Sequence, residues 1–335
     1  KMSKKRFIIS LIILMGSQIN FYKSQDLHFS MYPLSPLNIN PALTGNFIGD
    51  FRANSIHRSQ WSAVTVPYST YSLSSDFKTN KKIPLGILIN QDRAGDSQFN
   101  TFQMNVSSAF NLIQDSIQQL RVGFQTGITS RGIRSDALTM DAQYNGVQFD
   151  PNLPTNELFQ NYNRIYGNLN MGINYQCHLK NHFIQFDVSC FNLNQSNQTF
   201  FGATPPVSLD LKWFSRINHR LLINDFFTLS NSILFTHQGP HQELLVGSEI
   251  QYTLAELSFL KRAVWSGIYY RSNDAVFLSS GVIFDAWKIG LAYDINFSKL
   301  VPASNNRGSF EIALCYVLRK KMKLVSPIFI CPDYL

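Results

Sequence analysis

"KIGLAYDINF", residues 288–297, alternates without a break. Ile289, Leu291, Tyr293, Ile295 and Phe297 face one way; Lys288, Gly290, Ala292, Asp294 and Asn296 face the other. Side chains of a strand point alternately to opposite faces, so a period of two marks a strand set between two unlike surroundings. "FEIALCYVL", residues 310–318, repeats the pattern, with Phe310, Ile312, Leu314, Tyr316 and Leu318 against Glu311, Ala313 and Cys315. So does "FQMNVSSAFNL", residues 102–112, where Phe102, Met104, Val106, Phe110 and Leu112 oppose Gln103, Asn105, Ser107 and Asn111. From about residue 52 to residue 320 this alternation dominates, and helical periodicity is nearly absent.

Two architectures use such strands. A soluble sandwich buries the apolar face and wets the other; a transmembrane barrel turns the apolar face to lipid and lines its interior with polar groups. Sandwich strands average about five or six residues, whereas many segments here run ten residues or more. A membrane-spanning strand needs about 9–11. Charged residues are 15% of the chain, against roughly 25% in an average soluble protein. The polar faces carry Asn, Gln, Ser and Gly instead.

About fourteen segments follow, near 51–58, 68–77, 84–92, 99–112, 118–132, 163–178, 182–192, 207–220, 224–238, 241–253, 263–271, 275–285, 286–297 and 308–320. The longest gaps, 133–162, 193–206 and 298–307, come after the fifth, seventh and thirteenth segments. All three follow odd segments and so fall on one side, as the long external loops of outer-membrane barrels do. Connections after even segments, such as "LKNH" at 179–182, are short. The expected fold is all-β, a transmembrane antiparallel outer-membrane β-barrel of about fourteen strands.

Ahead of it, Lys1, Lys4, Lys5 and Arg6 precede an apolar run from Phe7 to Met15, which reads as a secretory signal peptide. The run is too short for a spanning helix, which needs about 20 residues. The chain then divides into a signal peptide (1–24), an N-terminal periplasmic or plug-like segment (25–50), the barrel (51–320) and a C-terminal tail (321–335).

The net charge of +8 includes the four cations that open the signal peptide, Lys1, Lys4, Lys5 and Arg6. No basic run interleaved with aromatics remains, so nucleic acid is not an expected partner. Cys177, Cys190, Cys315 and Cys331 lack paired spacing and read as small apolar residues. No cofactor or metal is expected. Asp136, Asp141 and Asp150 lack the tight spacing of a calcium loop. Asp92 and Asp96 flank Gly95 as in a hairpin turn. His237 and His241 are separated by Gly239 and Pro240, which forbid the helix that would aim both at one metal. No local catalytic or phosphate-binding motif occurs, so no catalytic residue is assigned. Trp61, Trp213, Trp265 and Trp287 are expected in interfacial girdles.

The two ends of the barrel region carry a resemblance. "QDLHFSMYPLSPLNINPALTG" (25–45), "HRSQW" (57–61), "LGILINQDRAGD" (85–96), "WKIGLAYDIN" (287–296) and "GSFEIALCYVL" (308–318) resemble the PorP/SprF family of Bacteroidota outer-membrane proteins. The middle of the chain matches that family as barrel pattern alone. In matching motif places stand Asn40, Pro41, Ala42, Gly45, Arg58, Gln60, Trp61, Tyr293, Asp294, Asn296, Glu311 and Tyr316. One departure is visible: an "NPAYAG"-like stretch reads "NPALTG" here, with Leu43 keeping the apolar contact and Thr44 beside it.

The resemblance implies an integral outer-membrane component of the type IX secretion system, supporting export or surface retention of a partner. The implied partners are outer-membrane lipids, other components of that system, and a large secreted surface protein or adhesin. A passive porin or hydrophobic-substrate channel is the alternative. Porin lumens carry charged rings that set selectivity, whereas the inward positions here are mostly uncharged and suit a packed or plugged interior. Read from the residues themselves, Asn40 is held extended by Pro41 and Gly45 permits a left-handed turn, which together would fix the entry to the first strand. A closed barrel brings its first and last strands together. That offers Arg58 a partner in Asp294 or Glu311; a rim arginine facing water is the other reading.

Overall fold

Strands form where the alternation runs. The computed structural model describes residues 27–60, 67–79, 83–95, 99–133, 140–154, 163–199, 206–257, 260–297 and 307–319. In chain order they build β1 (Phe51–Gln60), β2 (Tyr68–Phe77), β3 (Leu85–Ala94), β4 (Phe99–Gln114), β5 (Gln118–Gly132), β6 (Asn163–Leu179) and β7 (His182–Phe191). The second half is β8 (Lys212–Leu222), β9 (Phe227–Gln238), β10 (His241–Leu257), β11 (Leu260–Arg271), β12 (Ala275–Phe284), β13 (Trp287–Asn296) and β14 (Arg307–Leu318). Each strand pairs antiparallel with its chain neighbours, and β1 closes on β14 from Phe51 opposite Leu318 to Ser59 opposite Phe310. Closure leaves no strand edge unpaired, which a wall in hydrocarbon requires.

The two faces divide as the alternation predicts. Leu291, Tyr293, Ile312 and Leu314 point outward and are exposed, while Ala292, Asp294, Glu311 and Ala313 point inward and are buried. Around the wall the outward belt continues through residues such as Leu73, Val106, Phe124, Ile173, Ile217 and Ile268. Soluble monomers rarely expose a continuous apolar patch beyond a few hundred Å², and the belt is the lipid-facing surface of a transmembrane barrel. No described helix is long and apolar enough to cross a membrane, which bears on helices alone.

The longest connections, 133–162 after β5, 192–211 after β7 and 297–306 after β13, share one end of the barrel, the loop end. The other, the turn end, carries the two-residue connections 180–181 and 285–286. Short connections also occur at the loop end, at 239–240 and 272–274.

The N-terminal segment lies inside the barrel. Leu27 and His28 line a cavity at the loop end, and Gly45 to Ile48 line one at the turn end. The chain therefore runs down the lumen before β1 climbs back. Two 3-10 turns, Tyr32–Leu34 and Pro41–Leu43, flank a single helical turn, Pro36–Ile39, each with proline in its opening residues, where a missing N–H costs nothing. The apolar core is the contact between this plug and the wall. Phe29, Met31 and Leu34 pack with Ile56, Trp265, Ala292 and Ala313, and Tyr32, Ile39 and Leu43 pack with Phe214, Leu234, Tyr269 and Phe277.

Trp265 corrects the girdle expectation. It is 5% exposed and faces the lumen, over Gly281 and Gly290, where an added Cβ would come within 2.6 and 2.7 Å of its ring. Trp213 and Trp287 do face outward, one at each end of the barrel. Trp61 lies outside the described residues, as do the segments expected to be a signal peptide (1–24) and a C-terminal tail (321–335).

Candidate functional site: the plugged lumen

At the loop end, Arg58 on β1 and Glu311 on β14 stand directly opposite each other across the closing strand pair. Arg58 Nη1 donates to Glu311 Oε1 at 2.5 Å, and its Nη2 lies 3.4 Å from Asp294 Oδ2. Arg271 on β11 reaches the same Asp294 oxygen at 3.1 Å and Glu243 at 3.8 Å. Between these charges sits the plug. The backbone N–H groups of Ser30 and Met31 donate to the two Glu311 oxygens, each at 2.7 Å. Ser30 Oγ donates to Asp294 at 2.9 Å and accepts from Arg58 at 3.1 Å and Arg271 at 2.7 Å. Ser309 Oγ adds a bond to Asp294 at 2.7 Å. With its carboxamide oxygen turned to Arg58, Gln60 accepts from Nε at 3.0 Å.

Arg58, Arg271, Asp294 and Glu311 are all at most 2% exposed. Desolvating such charges is tolerable only when they are paired and further hydrogen-bonded, and the plug backbone supplies part of that saturation. The plug and the seam between first and last strands thus depend on each other.

Halfway down, Asn40 is extended, at φ −157° and ψ 122°, and its side chain accepts from Ala42 N–H at 2.9 Å, capping the turn that Pro41 opens. Its Nδ2 donates to the Ile173 carbonyl at 2.8 Å and to Asp187 at 3.2 Å. Two wall glycines make the bed for this turn. A Cβ on Gly172 would lie 2.0 Å from Asn40 Oδ1, and one on Gly123 would lie 2.2 Å from the Ala42 nitrogen. Asp187 is neutralised by Arg216 at 2.6 Å.

At the turn end, Asp76 accepts a two-pronged bond from Arg52, at 2.9 and 2.7 Å, and one from Gly45 N–H at 2.7 Å. Gly45 has φ 69°, the left-handed region that a Cβ disfavours. Arg121 donates to the carbonyls of Ala42 at 2.9 Å and Thr44 at 2.5 Å. Much of the plug's irregular backbone is thereby hydrogen-bonded by wall side chains, as buried backbone must be.

Of the residues singled out from sequence, Asn40, Pro41, Ala42 and Gly45 form the plug turn, and Arg58, Gln60, Asp294 and Glu311 meet at the seam. Asn296 points inward near the loop end, 8% exposed. Tyr293 points outward, 45% exposed, and Tyr316 packs its ring 4.6 Å from Trp287; neither belongs to the lumen. Sequence reasoning missed Ser30, Arg271, Arg121 and the pairs Arg52–Asp76 and Arg216–Asp187, so the lumen is more charged than expected. Parity was the available signal: Arg52 shares its inward face with Asn54 and Arg58.

The residues weighed for metal take other roles. Asp92 accepts from Thr70 at 2.6 Å, Asp150 accepts from the Asn152 backbone at 2.9 Å, and Gly239, at φ 54°, makes the turn between His237 and His241. Asp141 opens a 3-10 turn, Asp141–Gln143. Among the described residues, no group of three or more His, Cys, Asp or Glu could hold a metal ion. Cys177, Cys190 and Cys315 are free; Asp96, Asp136 and Cys331 lie outside the described residues. What the lumen does chemically is hold its own N-terminal segment. Two cavities flank the plug, about 1400 Å³ at the turn end and about 350 Å³ at the loop end, with no lining residue in common.

The architecture has solved counterparts. The chain is similar to the Ralstonia pickettii toluene transporter TbuX, at 10% identity, TM-score 0.52, covering 86% of this chain and 94% of that one. It is also similar to the monoaromatic hydrocarbon channel CymD, at 8% identity, TM-score 0.50, covering 86% and 93%. At such identities the likeness concerns the fold. No curated protein matches the chain in sequence. A family model does, described as the type IX secretion system membrane protein PorP/SprF, and it matches residues 21–316, through the plug, the seam and the strands between. The chain belongs to the PorP/SprF family of type IX secretion system membrane proteins.

Proposed function

We propose that the protein is a non-enzymatic component of the outer membrane, with its turn end in the periplasm and its loop end outside. There it supports export or surface retention of a particular secreted surface protein. The observation that carries this reading, within the family, is a lumen occupied along its length by residues 27–46, which leaves the long loops and the two mouths as the surfaces that can act. Recognition by such surfaces is a difference of affinities and selects particular partners; lipids and other secretion components complete the set, and nucleic acid is not among them.

Comparison of surface proteomes tests it. Deleting the gene is expected to strand one surface protein or a small set, with little change in general permeability. Replacing residues 133–162 by a short Gly/Ser link should keep heat-modifiable folding, since loops tolerate such change, and reduce display of the same partner. An unchanged surface proteome with loss of small-solute uptake would instead establish the channel reading, which draws on the fold shared with the hydrocarbon transporters.

A further inference from the structure

The turn-end mouth is strongly basic. Among the described residues, its lining holds seven Arg or Lys side chains and one carboxylate, Glu249. Asp76 neutralises Arg52 and Asp187 neutralises Arg216 from behind, and Glu249 lies 3.7 Å from Lys288. Lys78, Arg121, Arg220 and Arg319 remain, and none of them has a carboxylate within ion-pair distance among the described residues. Lys78 donates to the Phe47 carbonyl at 2.6 Å, Arg319 to the Ile48 carbonyl at 3.2 Å, and Arg220 lies 5.2 Å over the Phe183 ring. Carbonyls and rings orient a cation without cancelling its charge.

Like charges gathered in a concave, low-dielectric mouth focus the field outward along its axis and draw in the opposite charge. The loop-end cavity shows no such bias; amides such as Asn90, Gln103, Asn105 and Asn168 dominate its lining. Size narrows the class of occupant. Small-molecule sites span about 300–1,000 Å³, and this mouth, at about 1400 Å³, exceeds them. Its lining also offers what a peptide backbone needs, donors and acceptors together on Asn111, Gln114, Gln119 and Gln176. The apolar lining of Pro33, Pro36 and Ile48 would receive side chains between the acids.

We propose that this mouth is a docking site for an acidic, extended peptide segment presented from the turn end, the acids meeting Lys78, Arg220 and Arg319, with the buried Arg121 adding to the field behind them. That the segment reaches the mouth from the periplasm rests on the function proposed above; the binding itself does not.

The test uses the full chain in detergent micelles and fluorescence anisotropy. The probes are a labelled decapeptide of alternating Glu and Leu, its Lys/Leu counterpart, and pyrophosphate as competitor. The Glu/Leu peptide is expected to bind, and to weaken as salt shortens the Debye length from about 30 to about 8 Å. The double variant R220Q/R319Q removes two exposed rim charges and should keep heat-modifiable folding while losing about tenfold or more in affinity, as charge steering and pairing are lost together. Arg93→Gln, an exposed cation at the loop end, should change nothing. Three outcomes overturn the proposal: no binding of the Glu/Leu peptide, equal binding by the double variant, or pyrophosphate binding in place of the peptide. Because the assay needs no cells, its failure leaves the secretion reading standing, and an unchanged surface proteome would leave the peptide site standing.

Discussion

Arg58 is 253 residues from Glu311 in sequence and 2.5 Å from it in space. Arg58→Ala would leave Glu311 and Asp294 buried without that cation, and breaking a buried pair in this way costs about 3–5 kcal/mol. The expected readout is a lower urea midpoint for the heat-modifiable form; Glu311→Gln, which lightens the same imbalance, should partly restore it in the double variant. Gly172→Ala presses a Cβ against Asn40 Oδ1. Overpacking of this kind costs about 1–3 kcal/mol, and it should unseat the plug turn, seen as faster proteolysis of the N-terminal segment in an otherwise folded barrel. At this scale the sequence was partly legible. The extended Asn40 and the left-handed Gly45 followed from proline geometry and glycine, and closure offered Arg58 its partners as one of two readings. Ser30 and Arg271 did not, because nothing local tells how far up the lumen a plug reaches or which wall residue it meets there.

Strands were the most legible elements, since a period of two marks both their extent and their faces. The expected segment at 207–220 begins later, at Lys212, because the connection before it mixes apolar and polar residues without folding into the wall. Trp265 was misplaced by residue type when its parity with Ala263, Gly267 and Arg271, all inward, pointed to the lumen. Parity also governs tolerance in β13. Leu291→Arg puts a charge on the lipid face, which costs about 2–4 kcal/mol near the midplane, and should lower the yield of assembled barrel in membranes. Ala292→Arg meets a filled lumen, since Ala292 packs in the cluster with Phe29 and Met31, so it should also fail, with the plug displaced. Shortening the plug side with Met31→Ala is expected to rescue Ala292→Arg in part and Leu291→Arg not at all, as folding yields would show.

For the whole molecule, the orientation proposed from the loop parity can be read on intact cells. In a cysteine-free background, a cysteine near Asn152 or Ser196 should react with an impermeant maleimide and one near Asn181 should not; labelling at Asn181 alone would invert the barrel. Strand count and closure were legible because the pattern repeats along the chain. The two-mouthed interior was not, because inward residues read as generic polar faces until the register sets Arg52 beside Asp76 and Arg216 beside Asp187.

The plug hydrogen bonds described at the seam also impose an order on biogenesis. The carboxylate that holds the backbone of Ser30 and Met31 comes from Glu311, on the last strand to emerge from the ribosome, 281 and 280 residues later. An unfinished barrel of thirteen strands therefore lacks both backbone hydrogen bonds to Glu311 and is left to hydrogen-bond the segment at the loop end through Ser30 Oγ and the Leu27 carbonyl. Contacts of such separation form late and slowly. The docking of β14 on β1 that seals the wall is thus also the event that completes the plug's anchor at the loop end.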